Sequence, residues 1–189
     1  MSAQEGMKTW RRITKTDRDP RVRSLLQNLC VAEALDPGGV IYLISPWTRD
    51  VELIQNHAGE FDWVDGDWPR GSVRLLDWIR TICNGGGSVR ILQGGERGGE
   101  AFNAAVERLR RELDQPSALE LRVSSPLSQS GGNHAKAILT PSFSMTGSMN
   151  ISDPGLEMHV EHLEVRLSTD REYPEVRRQF IDLWEQYGN

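Results

Sequence analysis

Long apolar runs are missing from this 189-residue chain. None approaches the ~20 consecutive residues that a membrane-spanning helix requires, so membrane insertion by a helix is not expected. Cysteine is scarce. Cys30 and Cys83 lie in apolar periodic segments without CxxC spacing, which excludes a disulfide framework and reads as two buried free thiols in a reducing compartment. After Met-Ser-Ala-Gln-Glu-Gly the N-terminus turns basic with no apolar h-region, so no signal peptide is expected and the location reads as cytoplasmic. An excess of positive charge is also missing. The net charge of −5 gives no general attraction for nucleic acid. The glycine-rich loop at Gly94–Gly99 lacks the lysine of a P-loop and reads as a connection. His134, His159 and His162 could be imagined as metal ligands, but metal-ligand spacing and an aspartate cluster are absent and a lysine sits beside His134, so neither a metal nor another cofactor is expected.

The charge that is present is unevenly spread. Residues 1–23 hold seven basic side chains (Lys8, Arg11, Arg12, Lys15, Arg18, Arg21, Arg23) against three acidic ones, leaving about −9 on the rest. Residues 1–19 therefore read as a basic arm that either touches phosphates or is simply solvated. Residues 20–189 form a single domain by length and pattern.

Within it, strand and helix signals alternate. Residues 8–14 read as a strand or arm. Asp19 caps a helix opened by Pro20 and stopped at Asp36-Pro37-Gly38-Gly39. Val40–Ile44 is wholly apolar, as for a strand buried on both faces, and ends at Ser45-Pro46-Trp47. Asp50–Gln55 reads as one or two helical turns. Residues 56–71 are irregular, with Phe61, Trp63 and Trp68 among glycines and a proline. They read as a lid, a loop over a satellite core, or a dimer contact, and the two tryptophans either stack single-stranded bases or pack the loop.

Ser72 caps a second helix with Val73, Leu76, Ile79, Ile82 and Cys83 inward, and Val89–Leu92 is the next buried strand. Residues 100–113 form a charged helix and Leu119–Val123 a strand, before a Ser/Gly-rich loop over Ser124–Gly132. Ala135–Thr140, Phe143–Thr146 and Glu161–Leu167 read as strands, and Tyr173–Tyr187 as a closing helix that turns Val176, Phe180, Leu183 and Trp184 inward. The fold class is α/β, a layered sandwich with a central mixed sheet and helices on both faces.

The chemistry concentrates after residue 133. On a strand, His134 and Lys136 share a face. A cation beside a neutral imidazole suits an anionic phosphate, which the imidazole can attack or serve with a proton. Gly147-Ser148-Met149-Asn150 offers a hydroxyl, an amide and turn N–H groups for phosphate oxygens. Glu161 offers a carboxylate that can fix an imidazole tautomer.

His134-x-Lys136, then Gly147-Ser148-x-Asn150, then Glu161, resembles the signature of the phospholipase D superfamily. Val40–Trp47 and Gly87–Leu92 resemble its early strands, so the likeness spans roughly residues 22–187. It implies a phospholipase D-like sandwich and a phosphodiesterase that needs no metal. His134 would be the nucleophile that forms a phosphohistidine. Lys136 and Asn150 would bind phosphate, Ser148 would support it, and Glu161 would orient a histidine. The superfamily's site uses two such motifs and this chain has one, which implies a homodimer with a shared site. One departure stands out. The family often has an aspartate five residues after the lysine, and here that position is Pro141.

A small single-motif member points to nucleic acid, DNA or RNA, as substrate. The alternatives are a non-catalytic phosphate- or nucleic-acid-binding subunit and a phospholipid phosphodiesterase. The segment from Leu25 through Trp47 to Asn56 is similar to a type found in bacterial phage-defence islands linked to 7-deazapurine DNA modification, which implies defence-system partner proteins.

Overall fold

The computed structural model describes residues 10–15, 20–95, 99–125, 132–152 and 161–187, and for residues 10–21 and Glu161 the backbone alone. In chain order the elements are β1 (Trp10–Lys15), α1 (Pro20–Leu35), β2 (Val40–Ser45), β3 (Glu52–Asn56), β4 (Gly71–Arg74), α2 (Leu75–Asn84), β5 (Ser88–Gln93), α3 (Glu100–Glu112), β6 (Leu119–Val123), β7 (Ala137–Leu139), β8 (Phe143–Gly147), β9 (Glu161–Leu167) and α4 (Tyr173–Gln186). Seven strands form one sheet in the order β1-β9-β8-β7-β2-β5-β6, and β3 pairs with β4 in a separate ribbon. β2, β5 and β6 run parallel, while β7 is antiparallel to β2 and the strands beyond it continue antiparallel. The sheet is therefore mixed, as its late strands predict.

The two-residue period of the strands sorts their side chains between two cores. Ile41, Leu43, Val89, Ile91, Leu119 and Ile138 face α1, α2 and α3. Tyr42, Ile44, Leu92, Ala137 and Leu139 face α4, whose Trp184 is fully buried among them. Burial on both faces explains why β2 and β5 read as continuous apolar runs. The face under α4 is thinner and partly polar. Arg122 lies 3.9 Å over the Trp184 ring and Arg90 5.6 Å over Tyr42, so guanidinium groups finish the cover that one helix leaves incomplete. Of the residues expected to face inward from α4, Val176, Phe180 and Leu183 are half-buried.

Two local expectations change. Asp50–Gln55 is not helical, since Glu52–Asn56 is β3, paired antiparallel with β4. The register shifts between Glu52 and Ile54, so Leu53 and Ile54 are both buried and the alternation that marks a strand is broken. Ser72 is not a helix cap either. It lies in β4, its hydroxyl donates to Glu52, and α2 starts at Leu75 after Arg74. Asp19, the expected cap of α1, lies outside the described residues.

The 56–71 loop packs onto the core. Trp68 is 4% exposed and its indole N–H donates to Thr81 Oγ1 at 2.8 Å. Buried Asn56 accepts the Phe61 N–H through Oδ1 at 2.8 Å and donates from Nδ2 to Asp62 Oδ1 at 3.0 Å. Burial removes Trp68 from any base-stacking role, while Trp63 remains 65% exposed. Among the described residues no helix is long and apolar enough to cross a membrane.

Candidate active site

The parallel strands end together at one edge of the sheet, and a buried polar residue stands at or just after the end of each. Ser45 closes β2 and is 0% exposed, Gln93 closes β5 beside it in register and is 1% exposed, and Ser124 follows β6 at 5%. Among the described residues Gln93 Oε1 has no hydrogen-bond partner. Open α/β sheets bind ligands beyond the carboxyl ends of their parallel strands. Polar residues at the ends of apolar strands mark that edge here.

β7 runs antiparallel to β2 with Ile44 opposite Ala137, so the start of β7 meets the end of β2. His134 and Lys136 arrive at this edge, though not as a strand, because β7 begins only at Ala137. Asn133 is the reason. Its backbone N–H donates to Ser124 Oγ at 3.2 Å, and its own Oδ1 accepts the Ala135 N–H at 2.9 Å. A side chain that takes a nearby backbone donor competes with strand pairing and makes a turn. Asn133 is 3% exposed, whereas His134 at the crown of the turn is exposed. Lys136 is 8% exposed and its ammonium donates to the His134 carbonyl at 2.8 Å. The two residues are thus joined through the backbone of the turn rather than by the pleat of a strand.

The second motif comes to the same edge from β8. Gly147 has φ +152°, and a Cβ there would lie 1.9 Å from the His162 carbonyl oxygen, so only glycine fits this close approach to β9. Ser148 is then latched to β9 twice. Its N–H donates to His162 O at 3.0 Å and its Oγ accepts the His162 N–H at 3.0 Å. Asn150 is held by β2. Ser45 Oγ accepts the Ile151 N–H at 3.3 Å and lies 3.3 Å from Asn150 Oδ1 and 2.8 Å from the Trp47 carbonyl. Fixing Asn150 at its carbonyl end leaves its amide Nδ2 as a donor for a ligand. Ser45 is invisible to motif reasoning because it lies 105 residues before Asn150. Its only sequence signal is a polar residue closing an apolar strand.

Glu161 opens β9, one residue before the His162 that meets Ser148, and its side chain lies outside the described residues, as does His159. Pro141 sits at the other end of β7, about 16 Å from Lys136 at ~3.3 Å per strand residue. Its ring packs where a Cβ on Gly39 would lie, 2.9 Å away. At the same turn Ser142 Oγ donates to Glu33, which is 3% exposed. An acid at position 141 would thus stand far from Lys136, and α1 already brings a buried carboxylate to that turn. The two thiols take no part. Burial pushes Cys83 up to about 11 and Cys30 further, so neither forms the thiolate that reacts.

No protein-family model and no curated protein matches this sequence. Solved structures do match. Nuc from Salmonella typhimurium, a phospholipase D family member, superposes with a TM-score of 0.57 at 16% identity over 95% of this chain and 93% of Nuc. NucT from Helicobacter pylori gives 0.56 at 11% identity over 93% of this chain and 96% of NucT. This chain has the phospholipase D fold. Phosphatidylserine synthase from Haemophilus influenzae Rd KW20 shares it at a TM-score of 0.59 and 12% identity, with 94% of this chain matching 39% of that one. The likeness to Nuc and NucT thus runs over nearly whole chains, and the likeness to the synthase over one part of it. On the phospholipase D fold of this chain, His134, Lys136, Ser148 and Asn150 come to one edge of the sheet.

Proposed function

We propose that the protein is a metal-independent phosphodiesterase that cleaves nucleic acid through a phosphohistidine on His134. The observation that carries this reading is the convergence of the two motifs. An exposed imidazole, a lysine ammonium and an asparagine amide stand at the carboxyl edge of the parallel strands, locked there by Asn133, Gly147 and Ser45. Lys136 and Asn150 hold the non-bridging oxygens, and Ser148 keeps the loop in place. A ring nitrogen of His134 attacks phosphorus and the P–O bond to the leaving group breaks. The chain supplies one imidazole motif, so the leaving oxygen takes its proton from the partner's His134 in a two-fold dimer. Water, giving its proton back to the partner's His134, then attacks the phosphohistidine and frees the first. Glu161 is the carboxylate assigned to orient a histidine.

The test is incubation of purified protein with single- and double-stranded DNA in EDTA, wild type beside His134→Ala. Cleavage by wild type and none by the variant is expected, and equal products in both would refute the reading. The shared site has its own test. Adding excess His134→Ala chains to wild type should lower activity as mixed dimers form, whereas unchanged activity would mean that each chain works alone.

A second reading follows from the charge. With −5 overall, and about −9 outside residues 1–23, the chain lacks a general pull on nucleic acid. A phosphate-binding subunit that receives its strand from a defence-system partner would account for this, and would show no cleavage alone.

A further inference from the structure

One aromatic residue at this edge has no role in the chemistry above. Trp47 is 36% exposed, among few large apolar side chains left at the surface. It sits on the short turn that follows β2, and that turn is built into the phosphate half-site. Ser45 Oγ contacts both the Trp47 carbonyl and Asn150. Thr48 bridges to Ile151, and the Arg49 N–H donates to Ile151 O at 2.8 Å. Gly94 lets the end of β5 approach the same turn, since a Cβ there would lie 2.7 Å from Pro46 O. The β2–β7 register pairs Tyr42 with Leu139, Leu43 with Ile138 and Ile44 with Ala137. Because the start of β7 meets the end of β2, the Trp47 turn and the His134–Lys136 segment both leave the sheet at the same end of this strand pair.

Trp63 makes a useful contrast. It is more exposed, at 65%, but it belongs to the 56–71 loop, with its indole N–H on the Glu60 carbonyl at 2.8 Å. Among the described residues no hydrogen bond ties its side chain to the motif residues.

We propose that Trp47 is a stacking platform for an unpaired nucleobase next to the phosphate held by Lys136 and Asn150, which makes the preferred substrate a single strand. The inference rests on the nucleic-acid reading above and deepens it. A base inside a duplex hides its faces, whereas a single strand can lay one on an indole. The acidic bulk of the chain fits this choice, because stacking supplies affinity without a basic groove. The base-dependent part of binding is therefore insensitive to salt, unlike phosphate contacts. Arg49 adds a half-buried guanidinium to the same turn for a neighbouring phosphate.

The experiment measures binding separately from cleavage. Full-length protein carrying His134→Ala is titrated into a fluorescent thymidine strand and into an abasic strand of the same length, in EDTA. The thymidine strand is expected to bind roughly tenfold tighter. Trp47→Ala on that background should erase the difference, Trp47→Phe should keep most of it, and Trp63→Ala should leave it unchanged. Equal binding of both strands by the parent, or a preference that survives Trp47→Ala, overturns the platform. So does a Trp47→Ala chain that changes its sedimentation, which would make the indole a contact between copies, or one that loses binding to phosphatidylglycerol vesicles instead, which would make it a lipid anchor. A base preference without wild-type cleavage overturns the catalytic reading and leaves the platform standing. Cleavage without a base preference does the reverse.

Discussion

The two ends of β7, a strand of three residues, are opposite in character. At its start polar side chains reach the surface. His134 is exposed, Asn150 is pinned by its carbonyl, and Ser148 is exposed on a latch to β9. At its finish Thr140, Ser142 and Tyr173 hydrogen-bond within the fold. Thr140 is 0% exposed, its Oγ1 accepts the Ser142 and Phe143 N–H groups at 3.2 and 3.0 Å, and its carbonyl accepts the Tyr173 hydroxyl. Ser142 is spent on Glu33, and Pro141 fills the space over Gly39. One end offers donors to a ligand, and the other uses them to hold α1 and α4 to the sheet. Position 141 belongs to the second end, where the Pro141 ring packs against Gly39.

That division can be broken deliberately. The largest effect should come from Gly147→Ala, the one change that strikes the site end through the backbone. A methyl 1.9 Å from His162 O, at a φ that disfavours side chains, forces β8 away from β9. We expect a loss of about 3 kcal/mol or more in denaturant unfolding, together with loss of phosphate binding. Glu33→Ala should come next and act only on the far end. Leaving Ser142 and the buried pocket unmatched should cost about 1–3 kcal/mol in thermal unfolding, with binding of phosphate or DNA by the folded fraction unchanged.

Pro141→Asp tests the division from the other side. Restoring the family's acid should lower stability by about 1 kcal/mol through lost packing and leave cleavage within about twofold. A large gain in rate would show that the acid reaches the site after all. The smallest effect concerns Glu52, in the separate β3–β4 ribbon. Burial pushes its carboxyl up, but the Ser72 hydroxyl and the Arg23 guanidinium outweigh burial and hold it below the ordinary carboxylate range. A lowered pKa means that the unfolded chain binds the proton more readily. Its contribution is therefore complete above the ordinary carboxylate pKa and lost as pH falls through the folded value. Glu52→Gln should flatten the acid limb of a stability-against-pH curve and barely change stability at low pH.

The sequence was most legible where one physical demand acts on many adjacent residues. Burial on both faces makes Val40–Ile44 and Val89–Leu92 continuous apolar runs, and helical spacing marks α1 and α3. The motif residues stand out because their order and spacing along the chain are distinctive. Three features could not be read. The register shift at Leu53 hid β3 by burying two neighbours in succession. The Asn133 turn replaced the expected strand at His134 through a hydrogen bond that no periodicity signals. Ser45 reaches Asn150 across the sheet, a pairing that only the fold creates.

The account stands on His134 as the group that bonds to phosphorus. Acid-quenching a single turnover of 5′-labelled DNA and mapping the labelled peptide by mass spectrometry tests it directly. The account predicts a phosphoryl adduct on His134 that forms in EDTA, decays as product appears, and is absent from His134→Ala. Cleavage with no adduct, or with an adduct on any other residue, would contradict it.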